Sequence, residues 1–149
     1  MLEDKIIILD SKAKTKEEAL TILANELVTS GAVKATYPMA ILKREKNFPT
    51  GLSTDSIGFA IPHTDAEHVN RDQVGLLRLQ NTVEFLQMGD GQAIQVKIIF
   101  MLALSKPHEQ LEMLQKLISI FQNKKMVSML LQESDPQMVI ATLNSAGIA

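Results

Sequence analysis

Cysteine is absent from this 149-residue chain, and its absence excludes disulfides, thiolate nucleophiles and thiolate metal sites. The chain also has no large excess of positive or negative charge. The formal net charge is −2, so there is no basic surface for nucleic acid and no polybasic segment for a membrane. The longest apolar run, residues 98–104, is too short to cross a bilayer. Residues 1–5 are charged and lack the apolar region of a signal peptide. These absences predict a soluble cytoplasmic protein.

The composition that remains is that of an ordinary globular domain. Apolar residues make up 46% of the chain and charged residues 21%. A chain of this length can bury a core of its own. No linker, repeat or low-complexity segment divides the sequence, so we expect residues 1–149 to form a single domain.

Helical and extended patterns alternate along the chain. The strand-like segments are 6–9, 57–61, 74–79, a weaker one at 83–86, and 96–104. The helical segments are 15–30, 37–46, 107–122, 124–132 and 136–143. The polar, turn-rich segment 47–56 is predicted to be a loop. Helices before, among and after strands predict an α/β fold, with a mixed sheet sandwiched between helical layers.

Two of these segments make more detailed predictions. Segment 96–104 is apolar at almost every position, which indicates a central strand covered on both faces. In the helix at 107–122, an apolar stripe is predicted to face the core, formed by Leu111, Leu114, Ile118 and Phe121.

The most informative segment ends in a histidine. An apolar run at 57–61 is followed by Pro62, which no helix interior accepts, and then by His63. Such a run carries the chain out of the core and places one imidazole at the rim of the fold. An imidazole there can be a nucleophile, a proton shuttle, a metal ligand or a structural residue.

A metal site is one alternative. His63 and His68 are five residues apart, with Asp65 and Glu67 between them. Helical zinc pairs are spaced by four residues, and nothing else in the chain completes the ligand set. A metal-dependent hydrolase that uses His63, Asp65 and His68 is therefore kept only as an alternative, and His68 is better explained as a loop residue in solvent.

An anion site is a second interpretation. Arg44, at the end of the second helix, can direct its planar guanidinium toward an anion at His63, or it can simply be an exposed helix-end cation. His108 opens the helix after the central strand, at the sheet edge where ligands gather in α/β folds, or it is an ordinary helix-start residue. Together they suit a phosphoryl group carried on a neutral imidazole. Nucleotide-binding loops are absent, so the phosphate would come from a phosphorylated protein.

Over nearly its whole length the sequence resembles the type-2 enzyme IIA domains of the phosphoenolpyruvate-dependent sugar phosphotransferase system, the fructose/mannitol class. The resemblance rests on the Thr-Lys-Glu-Glu-Ala helix start, Arg-Glu-Lys at 44–46, Thr-Gly-Leu at 50–52, Ala-Ile-Pro-His at 60–63, and His108 with Leu111. It implies that His63 is phosphorylated by the phosphocarrier histidine protein and passes the group to a cysteine of a IIB component. It also implies that Arg44 and His108 assist, and that no cofactor or metal is needed.

The residues around His63 resemble one branch of this family. Thr64 takes the place of the small residue that often follows the histidine, and Asp65 comes next. The segment 62–68 resembles the galactitol-type branch. This likeness implies uptake of a hexitol, with galactitol as the first choice, through a membrane IIC component. A regulatory, nitrogen-type IIA protein is the alternative within the same fold. Asp65 is expected either to point away from a phosphohistidine or to hydrogen-bond its second ring nitrogen, unless a backbone carbonyl does so.

The partners of such a carrier dock briefly and repeatedly. Apolar side chains in the flanking loop and strand, Phe48, Leu52 and Phe59, are predicted to form the docking patch where they are exposed.

Overall fold

A computed structural model describes residues 5–148. In chain order the elements are β1 (Lys5–Ser11), α1 (Lys16–Thr29), α2 (Tyr37–Asn47), β2 (Gly51–Ser53), β3 (Gly58–Ala60), a 3-10 turn (Ala66–His68), β4 (Gln73–Leu86), β5 (Ala93–Ala103), α3 (Pro107–Phe121), α4 (Lys124–Gln132) and α5 (Pro136–Ser145). None of the helices within this described part of the chain is long and apolar enough to cross a membrane.

The five strands form one mixed sheet in the order β1-β4-β5-β3-β2. Strand β1 is parallel to β4, and β3 is parallel to β5, while the other two pairs are antiparallel. The predicted α/β class with a mixed sheet between helices is confirmed. The parallel pair β3 and β5 matters for function, because the carboxyl ends of both strands meet at one edge of the sheet.

Strand β5 is the centre of the molecule and has a core on each side. Its side chains alternate between the two faces: Ile99 and Met101 pack with α1 and α2, whereas Phe100 and Leu102 pack with α3, α4 and α5. All four are at most 1% exposed. The prediction of a central strand covered on both faces is confirmed.

Helix α1 begins and ends where its sequence signals predict. The Thr15 side chain accepts a hydrogen bond from the backbone N–H of Glu18 at 3.1 Å, which satisfies one of the free donors of the first turn. Two residues beyond the last helical position, Gly31 adopts φ = +85°, the left-handed conformation that ends many helices.

The segment predicted to be a loop, 47–56, contains a strand instead. Residues Gly51–Ser53 form β2, which pairs antiparallel with β3 at the edge of the sheet. The prediction was wrong because turn-forming residues surround the three paired ones, and pairing with β3 is a tertiary contact that the local pattern does not contain. Close packing supports this edge, since a Cβ on Gly58 would collide with the carbonyl oxygen of Gln95 in β5.

The two strands predicted at 74–79 and 83–86 are one strand, β4. Its pairing with β5 shifts between Arg78 and Val83, so residues 80–82 are exposed at an irregularity in the ladder. Because the residues of this bulge are polar, the sequence contains two apolar runs where the structure has one strand.

The predicted core stripe of α3 is only partly correct. Phe121 is buried, but Leu111 is 61% exposed and Ile118 is 37% exposed. The buried residues of the helix are Met113, Leu117, Ile120 and Phe121. Both sets have helical spacing, and packing on the sheet selects between them. The exposed set lies on the same helix as His108.

Candidate functional site

The backbone around His63 is held from two sides. The Ile61 N–H donates to the carbonyl of Thr50 at 3.3 Å, and the Leu102 N–H donates to the carbonyl of Pro62 at 3.0 Å. His63 itself pairs with Leu102 of β5 in an isolated parallel bridge. The apolar run followed by proline therefore delivers a partly buried imidazole to the carboxyl edge of the sheet, as the sequence predicts.

One ring nitrogen of His63 is already used. Its Nδ1 lies 2.9 Å from the Ile61 carbonyl oxygen, which can only accept a hydrogen bond. Nδ1 therefore carries the proton, and the lone pair remains on Nε2. Of the partners considered for this nitrogen, the backbone carbonyl makes the contact and Asp65 does not. The arrangement leaves the Nε2 lone pair without a hydrogen bond to the backbone.

The surroundings of His63 keep the ring neutral. Burial lowers the pKa of His63 below its ordinary value of 6.5, and the positive charge of Arg44 lowers it further. The Ile61 hydrogen bond and the charge of Asp65 oppose this shift. A neutral imidazole is the form that can attack phosphorus.

We expect a histidine titration in which the midpoint of His63 lies below pH 6.5. The unfolded chain then takes up its proton first, so stability contributed through His63 is lost as the pH falls below about 6.5. The loss stops once the pH is below the folded-state pKa. Nitrogen-15 NMR of the ring measures the midpoint directly. A midpoint above 6.5 would show that the Ile61 hydrogen bond and the charge of Asp65 together outweigh burial and Arg44.

Arg44 lies in the last turn of α2 and is fixed by two neighbours. Its guanidinium carbon is 4.5 Å from the centre of the Phe48 ring, and Nη1 is 3.9 Å from Asp65 Oδ1. Asp65 thus lies next to Arg44, while its charge still acts on the ring of His63. The arginine side chain is 37% exposed and keeps donors available for an anion.

His108 is exposed in the first turn of α3. That helix follows β5, whereas His63 follows β3, and the two strands are parallel neighbours, so both histidines are at the same sheet edge. Two residues along α3, Gln110 Nε2 donates to the carbonyl of Thr64 at 3.3 Å, which ties the start of the helix to the histidine loop. Within residues 5–148 no hydrogen bond engages the His108 ring.

A shallow groove of about 410 Å³ opens beside His63. It is lined by Arg44, Asn47, Phe48, Pro49, Thr50, His63, Met88, Gly89 and Leu114. A basic side chain, a neutral histidine and apolar side chains share one open depression. Such a surface can hold an anionic group on a protein partner while the partner's apolar residues pack around it.

His68 is not part of this groove. Its Nδ1 lies 2.8 Å from Thr36 Oγ1, and its Nε2 lies 3.7 Å from Glu67. No group of three or more possible metal ligands occurs among the described residues 5–148. The position of His68 favours the phosphoryl-carrier interpretation over a metal site formed with His63 and Asp65.

The predicted docking patch needs correction. Phe59 is fully buried and its ring stacks on Phe121 at a centroid distance of 3.8 Å, so it cannot contact a partner. Leu52 is half-buried, and Phe48 is 59% exposed. Phe59 is at a buried position of β3, and its proximity to His63 in sequence does not bring it to the surface.

Two buried polar residues next to His63's groove received no role from the sequence. Glu45 and Thr50 are 3% exposed, and they hydrogen-bond each other. A signal for Glu45 exists, since it follows the buried Ile41 by four positions and therefore lies on the inner face of α2.

The fold and the residues at its edge match one class of protein, the IIA components of sugar phosphotransferase systems. The profile of the family "Phosphoenolpyruvate-dependent sugar phosphotransferase system, EIIA 2" matches residues 1–146. The chain belongs to this family.

Individual relatives agree. The chain is 33% identical over 123 residues to the galactitol-specific EIIA component of Escherichia coli K12, covering 83% of this chain and 82% of that protein. It superposes on mannitol IIA of Escherichia coli, solved in complex with phosphorylated IIB, with a TM-score of 0.76, 26% identity and coverage of 93% and 94%. The nitrogen regulatory IIA of Neisseria meningitidis matches with a TM-score of 0.73, 26% identity and 92% coverage of each chain. The shared fold does not separate transport from regulation, but the galactitol relative favours transport.

Proposed function

We propose that His63 is the residue that carries the phosphoryl group, and that Arg44 and His108 assist its transfer. The observation that supports this most directly is the hydrogen bond from Nδ1 to the Ile61 carbonyl, which leaves Nε2 free beside the groove. Phosphoryl transfer demands little of a protein beyond positioning and charge neutralisation, and the groove offers both.

The proposed step exchanges one nitrogen–phosphorus bond for another. His63 Nε2 attacks phosphorus as the bond to the donor's imidazole breaks, and the proton stays on Nδ1, which keeps donating it to the Ile61 carbonyl. The Arg44 guanidinium neutralises the equatorial oxygens. His108 lies at the same sheet edge and donates to those oxygens when a partner covers the groove. A cysteine thiolate of the IIB component then attacks phosphorus from the opposite side, and the bond between phosphorus and His63 Nε2 breaks.

The partners and the sugar follow from the relatives. We infer that the donor is the phosphocarrier histidine protein, and that the acceptor is a IIB component that serves a membrane IIC component. The galactitol-specific relative supports galactitol as the transported hexitol. These inferred partners support a cytoplasmic location, and we infer that residues 1–149 act there as a single domain.

Reconstitution tests this function. The wild-type protein is incubated with phosphoenolpyruvate, enzyme I and the phosphocarrier protein, and its intact mass is measured. We expect an acid-labile gain of one phosphoryl group that disappears when the phosphocarrier protein is omitted. A gain that requires a nucleotide, or no gain in the folded protein, would contradict the carrier role.

The same phosphorylated protein tests the choice of sugar. Transfer to a galactitol-type IIB is expected to be about 10-fold faster than transfer to a mannitol-type IIB, which corresponds to a modest difference in binding free energy. Equal rates would mean that the galactitol assignment fails while the carrier role stands.

Docking is expected to depend on exposed apolar residues around the groove. Leu111 is 61% exposed on α3, one turn before the groove residue Leu114, and it is independent of the Arg44 contacts that involve Phe48. The Leu111→Glu variant should raise the KM for the phosphorylated donor about 10-fold with little change in kcat, because an anchor at the interface is lost. Steady-state transfer kinetics measure both constants.

Met138→Glu is the matched control for this variant. Met138 is 52% exposed on α5, so the same charge is placed on a comparable apolar residue of another helix. An equal rise in KM for both variants would indicate a general charge effect and not a docking site.

A further inference from the structure

Glu45 is a buried carboxylate next to an exposed arginine. Arg44 points into the groove, whereas Glu45 points into the protein and is 3% exposed. Burial raises the pKa of Glu45, while its hydrogen bonds from Thr50 and the positive charge of Lys16 oppose that shift. Because a buried carboxylate is costly, a structure that needed only filled space would use an apolar side chain here.

Both carboxylate oxygens of Glu45 are used by one residue. The Thr50 backbone N–H donates to Oε2 at 2.8 Å, and the Thr50 hydroxyl donates to Oε1 at 2.7 Å. This two-point contact fixes the position and the orientation of the Thr50 peptide group. Thr50 directly precedes β2, so the contact also anchors the edge strand to α2.

The chain of hydrogen bonds continues from Thr50 to the histidine. The Thr50 carbonyl accepts from the Ile61 N–H at 3.3 Å, and the Ile61 carbonyl accepts from His63 Nδ1 at 2.9 Å. Ile61 therefore orients the imidazole, Thr50 holds Ile61, and Glu45 holds Thr50. Three successive contacts connect a buried carboxylate on α2 with the ring of His63.

We propose that Glu45 and Thr50 are positioning residues that fix the Ile61 carbonyl and so keep His63 in the tautomer with Nε2 free. The effect on transfer rests on the proposed role of His63, but the effect on the tautomer does not. Neither residue is proposed to touch the phosphoryl group. Glu45 does not line the groove, and Thr50, which does, is 3% exposed and has its hydroxyl engaged by Glu45 Oε1.

Two substitutions at Thr50 test the proposal. Thr50→Val keeps the shape of the side chain and removes the hydroxyl, which leaves Glu45 Oε1 without its donor. Thr50→Ser restores the hydroxyl. The tautomer of His63 is read from its ring nitrogen-15 shifts in the unphosphorylated protein, and the single-turnover rate is measured with the phosphorylated phosphocarrier protein as donor.

We expect Thr50→Val to mix the two tautomers and to slow phosphorylation about 10-fold, since small misplacement of a nucleophile has large effects on rate. Thr50→Ser should retain the wild-type tautomer and stay within about 2-fold of its rate. If Thr50→Val does not fold, Glu45→Gln is used in its place, because it keeps the shape of Glu45 and removes its charge.

A stability control separates positioning from general destabilisation. Leu143→Ala removes a fully buried side chain from α5, which packs beside β1 at the sheet edge opposite β2. It should lower the melting temperature but leave the His63 tautomer and the rate unchanged. A wild-type tautomer in Thr50→Val, or an equal shift in Leu143→Ala, would overturn the proposal. A shifted tautomer in a protein that accepts no phosphoryl group would support positioning and refute the proposed function.

Discussion

The His63→Gln variant is expected to accept no phosphoryl group in the reconstituted system, a loss of at least about a thousandfold. Glutamine keeps a polar side chain of similar reach, but its amide nitrogen has no free lone pair to attack phosphorus. Among residues 5–148, His63 is the only histidine whose Nδ1 contacts a backbone carbonyl, and it lines the same groove as Arg44. Intact mass measured after incubation with phosphoenolpyruvate, enzyme I and the phosphocarrier protein provides the result.

His68→Gln is the control for this variant. The His68 ring is engaged with Thr36 outside the groove, so this variant should gain the phosphoryl group as the wild type does. If His63→Gln were still phosphorylated and the group mapped to His68 or His108, that histidine would be the nucleophile. The proposed mechanism would then be wrong.

The Arg44→Met variant is expected to slow transfer to His63 about 100-fold, the effect of removing one donor that stabilises a transition-state charge. Methionine keeps much of the apolar stem that packs near Phe48 but loses the guanidinium. Arg44→Lys should recover part of the rate, because it restores the charge without the planar pair of donors. Single-turnover measurements at saturating donor separate this effect from docking.

Lys46→Met is the matched control for Arg44. Lys46 is on the same helix turn but lies in a separate depression between α1 and α2, with Lys16 and Lys43. The same loss of one positive charge there should change the rate less than about 2-fold if the effect at Arg44 is local. Equal slowing in both variants would show that overall charge steers the donor and that Arg44 does not act locally on the phosphoryl group.

The elements that follow from local patterns were predicted correctly. The capping contact at Thr15, the left-handed Gly31 and the two-sided burial of β5 are properties of short sequence segments, and the structure contains all three. The errors have a common origin. Strand β2, the continuity of β4 and the buried face of α3 depend on pairing or packing with distant segments, which local periodicity does not encode.

The candidate site shows the same division. The sequence by itself determined the chemical inventory: no thiolate, no nucleotide-binding loop, a histidine delivered by an apolar run and a proline, and an arginine at a helix end. Only the tertiary structure decided how these groups are used. It placed the Ile61 carbonyl on Nδ1, directed Asp65 to Arg44, buried Phe59 and set Glu45 behind Thr50. The reason is physical: residue type sets which protons and charges are available, but a tautomer, an ion pair and an exposed patch depend on which atoms the fold brings within contact distance.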